Sequence, residues 1–295
     1  MIRIYHTNNI VQHVNEKYGI LLIARTIKRK YRMIKSILIN AEGAMLSTFC
    51  SVLLIIVLCS SFICKDDFRT EQLKYKRVKA AYEEKEDGLK KMLKEKSISI
   101  NNMQMLLVGY KQEMELQLWA RNSSEKKYHF IKSYNFCALS GKLGPKRKAG
   151  DEQVPEGFYY VDRFNPASNF YLSLGINYPN KSDRLLGDKV HPGGDVFIHG
   201  NCVTIGCIPV TDDKIKELYI CAVEATNNGQ KKIPVYIFPM KMKEETFSSV
   251  CNKNKASISL TTFWKQLLKG YTNWTKTNEA LNYTVDEKGN YIFQD

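Results

Sequence analysis

The amino-acid sequence predicts an α+β fold rich in short strands, with a helical arm before it, a helical cover after it and a membrane-length apolar segment ahead of all three. Three observations predict this. Between residues 103 and 242, short apolar or alternating runs are separated by Gly, Pro and Asn, the punctuation of a sheet. Residues 65–102 and 243–295 instead space their apolar side chains as helices do. Residues 43–64 carry no charge at all.

The first 44 residues read as a basic cytoplasmic segment, and residues 45–64 as a transmembrane segment or signal anchor, since about 20 apolar residues of helix cross a bilayer. Arg25, Lys28, Arg29, Lys30, Arg32 and Lys35 precede it, so the positive-inside bias keeps the N-terminus in the cytoplasm and sends the remainder outward, into the periplasmic side of the envelope. A cleaved signal peptide starting at Met33 or Met45 is the alternative. Leu58 and Ile63, rather than small residues, precede Cys59 and Cys64, which argues against a lipoprotein cleavage site.

Residues 65–96 are dense in both charge signs, with Leu73, Val78, Tyr82, Leu89, Met92 and Leu93 on one helical face and Gly88 as a candidate interruption. Strands are predicted at 104–110, 113–119, 129–131, 135–139, 157–161, 171–174 and 195–198. A helix over 212–226 buries Ile215, Leu218, Tyr219 and Ala222, and a strand over 234–238 closes the sheet. In the cover, Phe263, Trp264, Leu267 and Leu268 share a helical face, with Trp274 further on. Tyr159 and Tyr178 read as core or rim aromatics.

The 295 residues carry a formal net charge of +14, which suits an anionic partner. No nucleic-acid-binding motif is present and the basic residues are spread along the chain, so nucleic acid is not that partner. Of the eight cysteines, Cys50, Cys59 and Cys64 lie in the apolar segment. Cys137, Cys202, Cys207, Cys221 and Cys251 lie outside it, an odd set that leaves at least one thiol free even in an oxidising compartment. Cys207 is the candidate for that thiol. A Cys202–Cys207 bridge is the alternative that would disable it.

The run Ile198-His199-Gly200-Asn201-Cys202-Val203-Thr204-Ile205-Gly206-Cys207-Ile208-Pro209-Val210 carries the chemistry. Thiolate is the reactive form of cysteine, so a catalytic Cys needs a base and a pair of donors for the oxyanion formed on attack at a carbonyl. Cys207 and His199 supply nucleophile and base, while Gly206 lets the main chain approach a substrate and Thr211-Asp212-Asp213 caps a following helix. Zinc is the other reading of His191, His199, Cys202 and Cys207, but their spacing matches no common structural zinc site.

His-Gly followed by Thr204-x-Gly206-Cys207-Ile208 resembles the signature of the YkuD-type L,D-transpeptidases, and the short His-to-Cys interval with the extra Cys202 is most similar to the YafK-like branch. Ser140 to Lys146 and Gly150 to Tyr159 are similar to the hairpin that precedes the site in that family, and Gly229-Gln230 before Ile233 to Pro239 also fits. The resemblance implies a β-rich catalytic domain over 103–242 and a Cys207 thioester with His199 as base. It also implies a backbone carbonyl at Gly200 that orients the histidine, Gly206 and Cys207 amides as oxyanion donors, and no cofactor or metal. Thr204 and Lys146 are the weaker substrate-binding candidates, the latter with Arg147 and Lys148 in a basic turn. The implied partners are peptidoglycan stem peptides and, in the YafK-like branch, a wall-attached lipoprotein. Most of the family carries a second histidine two positions before the nucleophile. Here that position is Ile205, which leaves transfer and hydrolysis both open, beside a third reading as a wall-binding module without catalysis.

Overall fold

The computed structural model describes residues 28–30, 32, 67–253 and 257–294. The predicted membrane segment at 45–64 lies outside them, and among the described residues no helix is long and apolar enough to cross a membrane. The described residues from Asp67 onward form one compact unit. It is a mixed α+β fold, as the strand and helix patterns require.

Two helices, α1 (Phe68–Leu73) and α2 (Lys76–Lys94), lead into a short 3-10 turn and strand β1 (Met103–Tyr110). The strands that follow are β2 (Glu115–Asn122), β3 (His129–Asn135), β4 (Gly157–Asn165) and β5 (Ser173–Ile176). Helix α3 (Lys181–Leu186) precedes β6 (Phe197–His199) and β7 (Ile208–Pro209), then come α4 (Asp212–Asn227) and β8 (Ile233–Phe238). The cover is α5 (Glu244–Lys253), α6 (Ile258–Thr277) and the strands β9 (Tyr283–Val285) and β10 (Tyr291–Phe293).

One sheet takes the order β3-β2-β1-β8-β4-β5-β6-β7, and β9 pairs with β10 separately. The β1–β8 and β6–β7 pairs are parallel and the others antiparallel. Strand β8 therefore lies inside the sheet between β1 and β4, not at its closing edge as expected. The reason is visible in β1. Met103, Met105 and Leu107 point into one core, with α2 and α4, while Leu106, Val108 and Tyr110 point into the other, under α6. A strand buried on both faces needs hydrogen-bonded neighbours on both edges, since an unpaired buried amide or carbonyl costs about 1–3 kcal/mol.

The arm packs on the domain. Val78, Ala81, Tyr82, Leu89 and Leu93 of α2 are buried, and Tyr82 donates its hydroxyl to Glu224 of α4 at 2.6 Å. Because the arm covers its outer side, α4 is buried on more than the single stripe that the sequence shows, and its Glu224 is buried too. The arm breaks between α1 and α2, at residues 74–75; Gly88 sits inside α2. Several predicted strands shift as well. The second begins at Glu115 after a turn, the run at 129–131 extends to Asn135 as β3, the run expected at 135–139 forms no strand beyond Asn135, and Phe136 to Glu156 contain no strand. Strand β5 runs two residues later than the 171–174 prediction, and α3, β9 and β10 were not anticipated.

Candidate active site

Strand β6 ends at His199 and parallel β7 begins at Ile208, with Ile198 opposite Ile208 and His199 opposite Pro209. This register puts Cys207, one residue before β7, beside Phe197 at the start of β6. The Cys207 sulfur accepts from the Phe197 amide at 3.4 Å and lies 3.6 Å from the Asp195 carbonyl, to which the thiol donates. Immediately after β7, the Thr211 side chain caps α4 by accepting from the Lys214 amide.

His199 is buried, with its Nδ1 2.5 Å from the Gly200 carbonyl oxygen. A carbonyl only accepts, so Nδ1 carries the proton and Nε2 is left as the basic nitrogen. The Phe170 ring covers the imidazole, its centroid 4.7 Å away. A side chain on Gly200 would collide with Asp212 Oδ1 and the Phe170 carbonyl, at 2.5 and 2.9 Å from its Cβ, which explains glycine at this point.

Burial lowers the His199 pKa against an opposing contribution from the Gly200 carbonyl. Burial likewise raises the Cys207 thiol, opposed by the Phe197 amide and the positive charge of Lys146. Both groups are therefore held neutral: an imidazole able to take a proton and a thiol that still has one to give.

The loop between them is pinned at several places. Asn201 adopts a positive φ of 61° and donates its amide to Asp212 Oδ1 at 2.7 Å. Thr204 Oγ1 accepts from the Gly206 amide at 3.1 Å and the Cys207 amide at 2.8 Å, and donates to the Cys207 carbonyl at 2.9 Å. Thr204 is thus bonded to the loop itself, and it holds the two amides assigned as oxyanion donors. Gly206 has φ 128°, and a Cβ there would lie 3.0 Å from the Gln153 carbonyl, so both conformation and space require glycine.

Cys202 is bonded to Cys137, leaving Cys207, Cys221 and Cys251 as free thiols among the described residues. The Cys202–Cys207 alternative does not form. Cys221 is buried inside α4, and burial pushes its thiol well up, which makes it inert. The sequence offered no signal that Cys137, 65 positions away, would be the partner.

Lys146 is buried, its ammonium 2.6 Å from Asp151 and 3.0 Å from the Lys148 carbonyl. It reaches Cys207 through its field; contact with a substrate carboxylate would require it to leave Asp151. Arg147 pairs with buried Asp183 at 3.2 Å. Tyr159 and Tyr178 are core residues. Among the described residues, no group of three or more His, Cys, Asp or Glu side chains is arranged to hold a metal ion.

Two supporting residues escaped sequence reasoning. Lys111 is fully buried, bonded to the carbonyls of Lys142, Gly144 and Val154 at 3.1, 2.7 and 2.8 Å and to Glu156 at 3.0 Å. Glu156 in turn accepts from the Gly144 amide at 2.7 Å and from Trp264 Nε1 at 2.8 Å. This pair holds the strandless segment that carries Lys146 and Gln153. A lysine at the end of an apolar strand reads as a surface residue, so only the fold exposes its role.

Residues 106–237 match the L,D-transpeptidase catalytic domain, YkuD. The chain is 34% identical over 185 residues to YafK of Escherichia coli (strain K12), covering 62% of this chain and 71% of that protein, whose name classes it with the L,D-transpeptidases. Among solved structures it is similar to the helical cell shape determining protein Pgp2 from Campylobacter jejuni, with 16% identity, a TM-score of 0.38 and coverage of 62% of this chain and 73% of that one. It is also similar to Bd1075 of Bdellovibrio bacteriovorus, with 20% identity, a TM-score of 0.34 and coverage of 66% and 78%. The extent of the match to YafK settles the matter of family: this chain belongs to the YkuD family of L,D-transpeptidase catalytic domains.

Proposed function

We propose that the protein is a cysteine-dependent acyltransferase or hydrolase acting on peptidoglycan stem peptides, with Cys207 as nucleophile and His199 as base. The observation that carries this reading is the free thiol of Cys207 at the start of β6, the same three-residue strand that ends at a histidine whose Nδ1 is committed to the Gly200 carbonyl. In the proposed reaction, His199 Nε2 takes the thiol proton as sulfur attacks the carbonyl carbon of a peptide bond at a diamino-acid centre. The resulting oxyanion takes donors from the Gly206 and Cys207 amides, which requires the Thr204 hydroxyl to rotate away. The C–N bond then breaks, His199 returns its proton to the leaving amine, and a thioester remains. Water or an acceptor amine attacks the thioester and regenerates the thiol.

Hydrolysis is the second reading, favoured by Ile205. This side chain is 80% exposed beside the nucleophile and supplies neither acid nor base to an incoming amine. In that reading the leaving group is a peptide or protein joined to the wall diamino acid, such as a wall-attached lipoprotein. A wall-binding module without catalysis has no use for a free thiol and an oriented, neutral imidazole on one short strand pair.

The catalytic domain is proposed to face outward, anchored by residues 45–64. The Cys137–Cys202 bridge supports this, because disulfides persist in oxidising compartments. The test is product mass from purified muropeptides with and without an added D-amino acid. Exchange of the terminal D-amino acid supports transfer, and release of free peptide supports hydrolysis. Cys207→Ala abolishes both with folding retained; an active Cys207→Ala enzyme overturns the mechanism.

A further inference from the structure

The 142–153 segment has a second face. Between it and the start of α6 lies a cavity of about 530 Å³, within the usual range of ligand pockets. Leu143, Pro145, Leu260 and Phe263 give it apolar walls, and among the described residues Lys142 and Arg147 are the charged ones that line it. Gln153 belongs to both places. It lines the cavity, and its carbonyl lies against Gly206 of the catalytic loop.

Both walls are fixed to the same buried group. Glu156 accepts from the Gly144 amide on one wall and from Trp264 of α6 behind the other, while Lys111 holds the Lys142 and Gly144 carbonyls. Arg147 ties them again, its guanidinium 4.7 Å from the Phe263 ring centroid and bonded to Asp183. The space is therefore held open by buried bonds on either side. Asp183 balances one of the two cations, and the Lys142 ammonium has no partner among the described residues, so the lining keeps one uncompensated positive charge. Two of these wall residues, Leu260 and Phe263, come from α6, outside the 106–237 stretch that matches the catalytic domain.

We infer that this cavity is a substrate subsite that takes a carboxylate-bearing part of the stem peptide remote from the scissile bond, with Lys142 as its cation. The assignment rests on the proposed peptidoglycan activity. An ammonium beside apolar walls, one residue removed from the catalytic loop through Gln153, selects a peptide that carries both a charge and an aliphatic side chain. Affinity is then set away from Cys207, and the chemistry is left to backbone donors.

The experiment measures binding and turnover of a disaccharide tetrapeptide, with its remote carboxyl groups free or amidated, by the wild-type chain, Lys142→Glu and Leu260→Trp. Lys142→Glu reverses the charge; Leu260→Trp fills the space. The expected result is that the free acid binds the wild type at least tenfold more tightly than the amide, that both variants lose this preference through KM, and that reaction of Cys207 with a small thiol-reactive acyl probe is unchanged. Turnover that ignores both amidation and the two substitutions overturns the subsite and leaves the proposed activity standing. A carboxylate preference in binding without any turnover overturns the activity and leaves an anion site. Binding and turnover both absent overturn the two together.

Discussion

Replacing Cys137 and Cys202 together by serine separates what holds the catalytic loop from what reacts in it. The bridge joins residues 65 positions apart. Closing a loop of that length in the unfolded chain is worth about 4 kcal/mol by the chain-entropy relation, so the double variant loses about that much stability. For a compact unit of this size, each kcal/mol moves the melting temperature by about 2–4 °C, which predicts a drop of about 10 °C. Catalysis should survive well below that temperature. The Asn201 amide stays on Asp212, Thr204 stays on the Gly206 and Cys207 amides, and the His199 contact to the Gly200 carbonyl does not involve sulfur. Urea unfolding of the wild type with and without reductant, beside the double variant, is the assay. Reductant should lower the wild-type stability to that of the variant and leave the variant unmoved. A stability difference below about 1 kcal/mol, or loss of turnover as complete as in Cys207→Ala, refutes the reasoning.

Three further outcomes follow from the same structure. Lys111→Met leaves the Glu156 carboxylate buried without its cation and should cost about 3–5 kcal/mol in urea unfolding; adding Glu156→Gln should recover part of this, and an additive double variant would show that the pair does not act as a unit. Because burial lowers the His199 pKa, the free-base imidazole persists to lower pH, so the acid limb of kcat/KM should fall below the ordinary histidine value of about 6.5; a limb at or above that value counts against His199 as the base. A reporter fused after Asp295 should behave as exported, and activity of a cytoplasm-only reporter there would overturn the proposed topology.

The 198–210 run was legible because its chemistry is local: a short strand, a pinned loop and a helix cap adjoin in sequence, and glycine at 200 and 206 marks the close approaches. Strand β1 and helix α4 were legible for the same reason, β1 as a nearly unbroken apolar run and α4 through helical spacing. What was not legible depends on long-range partners. Cys202 could not be matched to Cys137 without the turn that follows β3, and Lys111 could not be read as buried until Lys142, Gly144, Val154 and Glu156 were brought around it. The helix break near residue 74 escaped because no glycine or proline marks it: Lys74 caps α1 with helical backbone and Tyr75 turns extended before α2.

The atoms that orient the two proposed reacting groups are main-chain atoms: the Phe197 amide and Asp195 carbonyl at sulfur, and the Gly200 carbonyl at imidazole. Side chains around them are correspondingly free to vary without disturbing the chemistry. Val203 and Ile205 are exposed apolar residues in the loop itself, and Phe170 is partly exposed over the imidazole. An apolar rim disfavours a charged amine acceptor, which must shed water to approach, more than it disfavours a neutral water molecule. Restoring a histidine at Ile205 therefore changes the acceptor and not the nucleophile. Ile205→His should raise the ratio of amine transfer to hydrolysis in muropeptide product masses while labelling of Cys207 stays constant. An unchanged ratio would place the choice of acceptor elsewhere than in this loop.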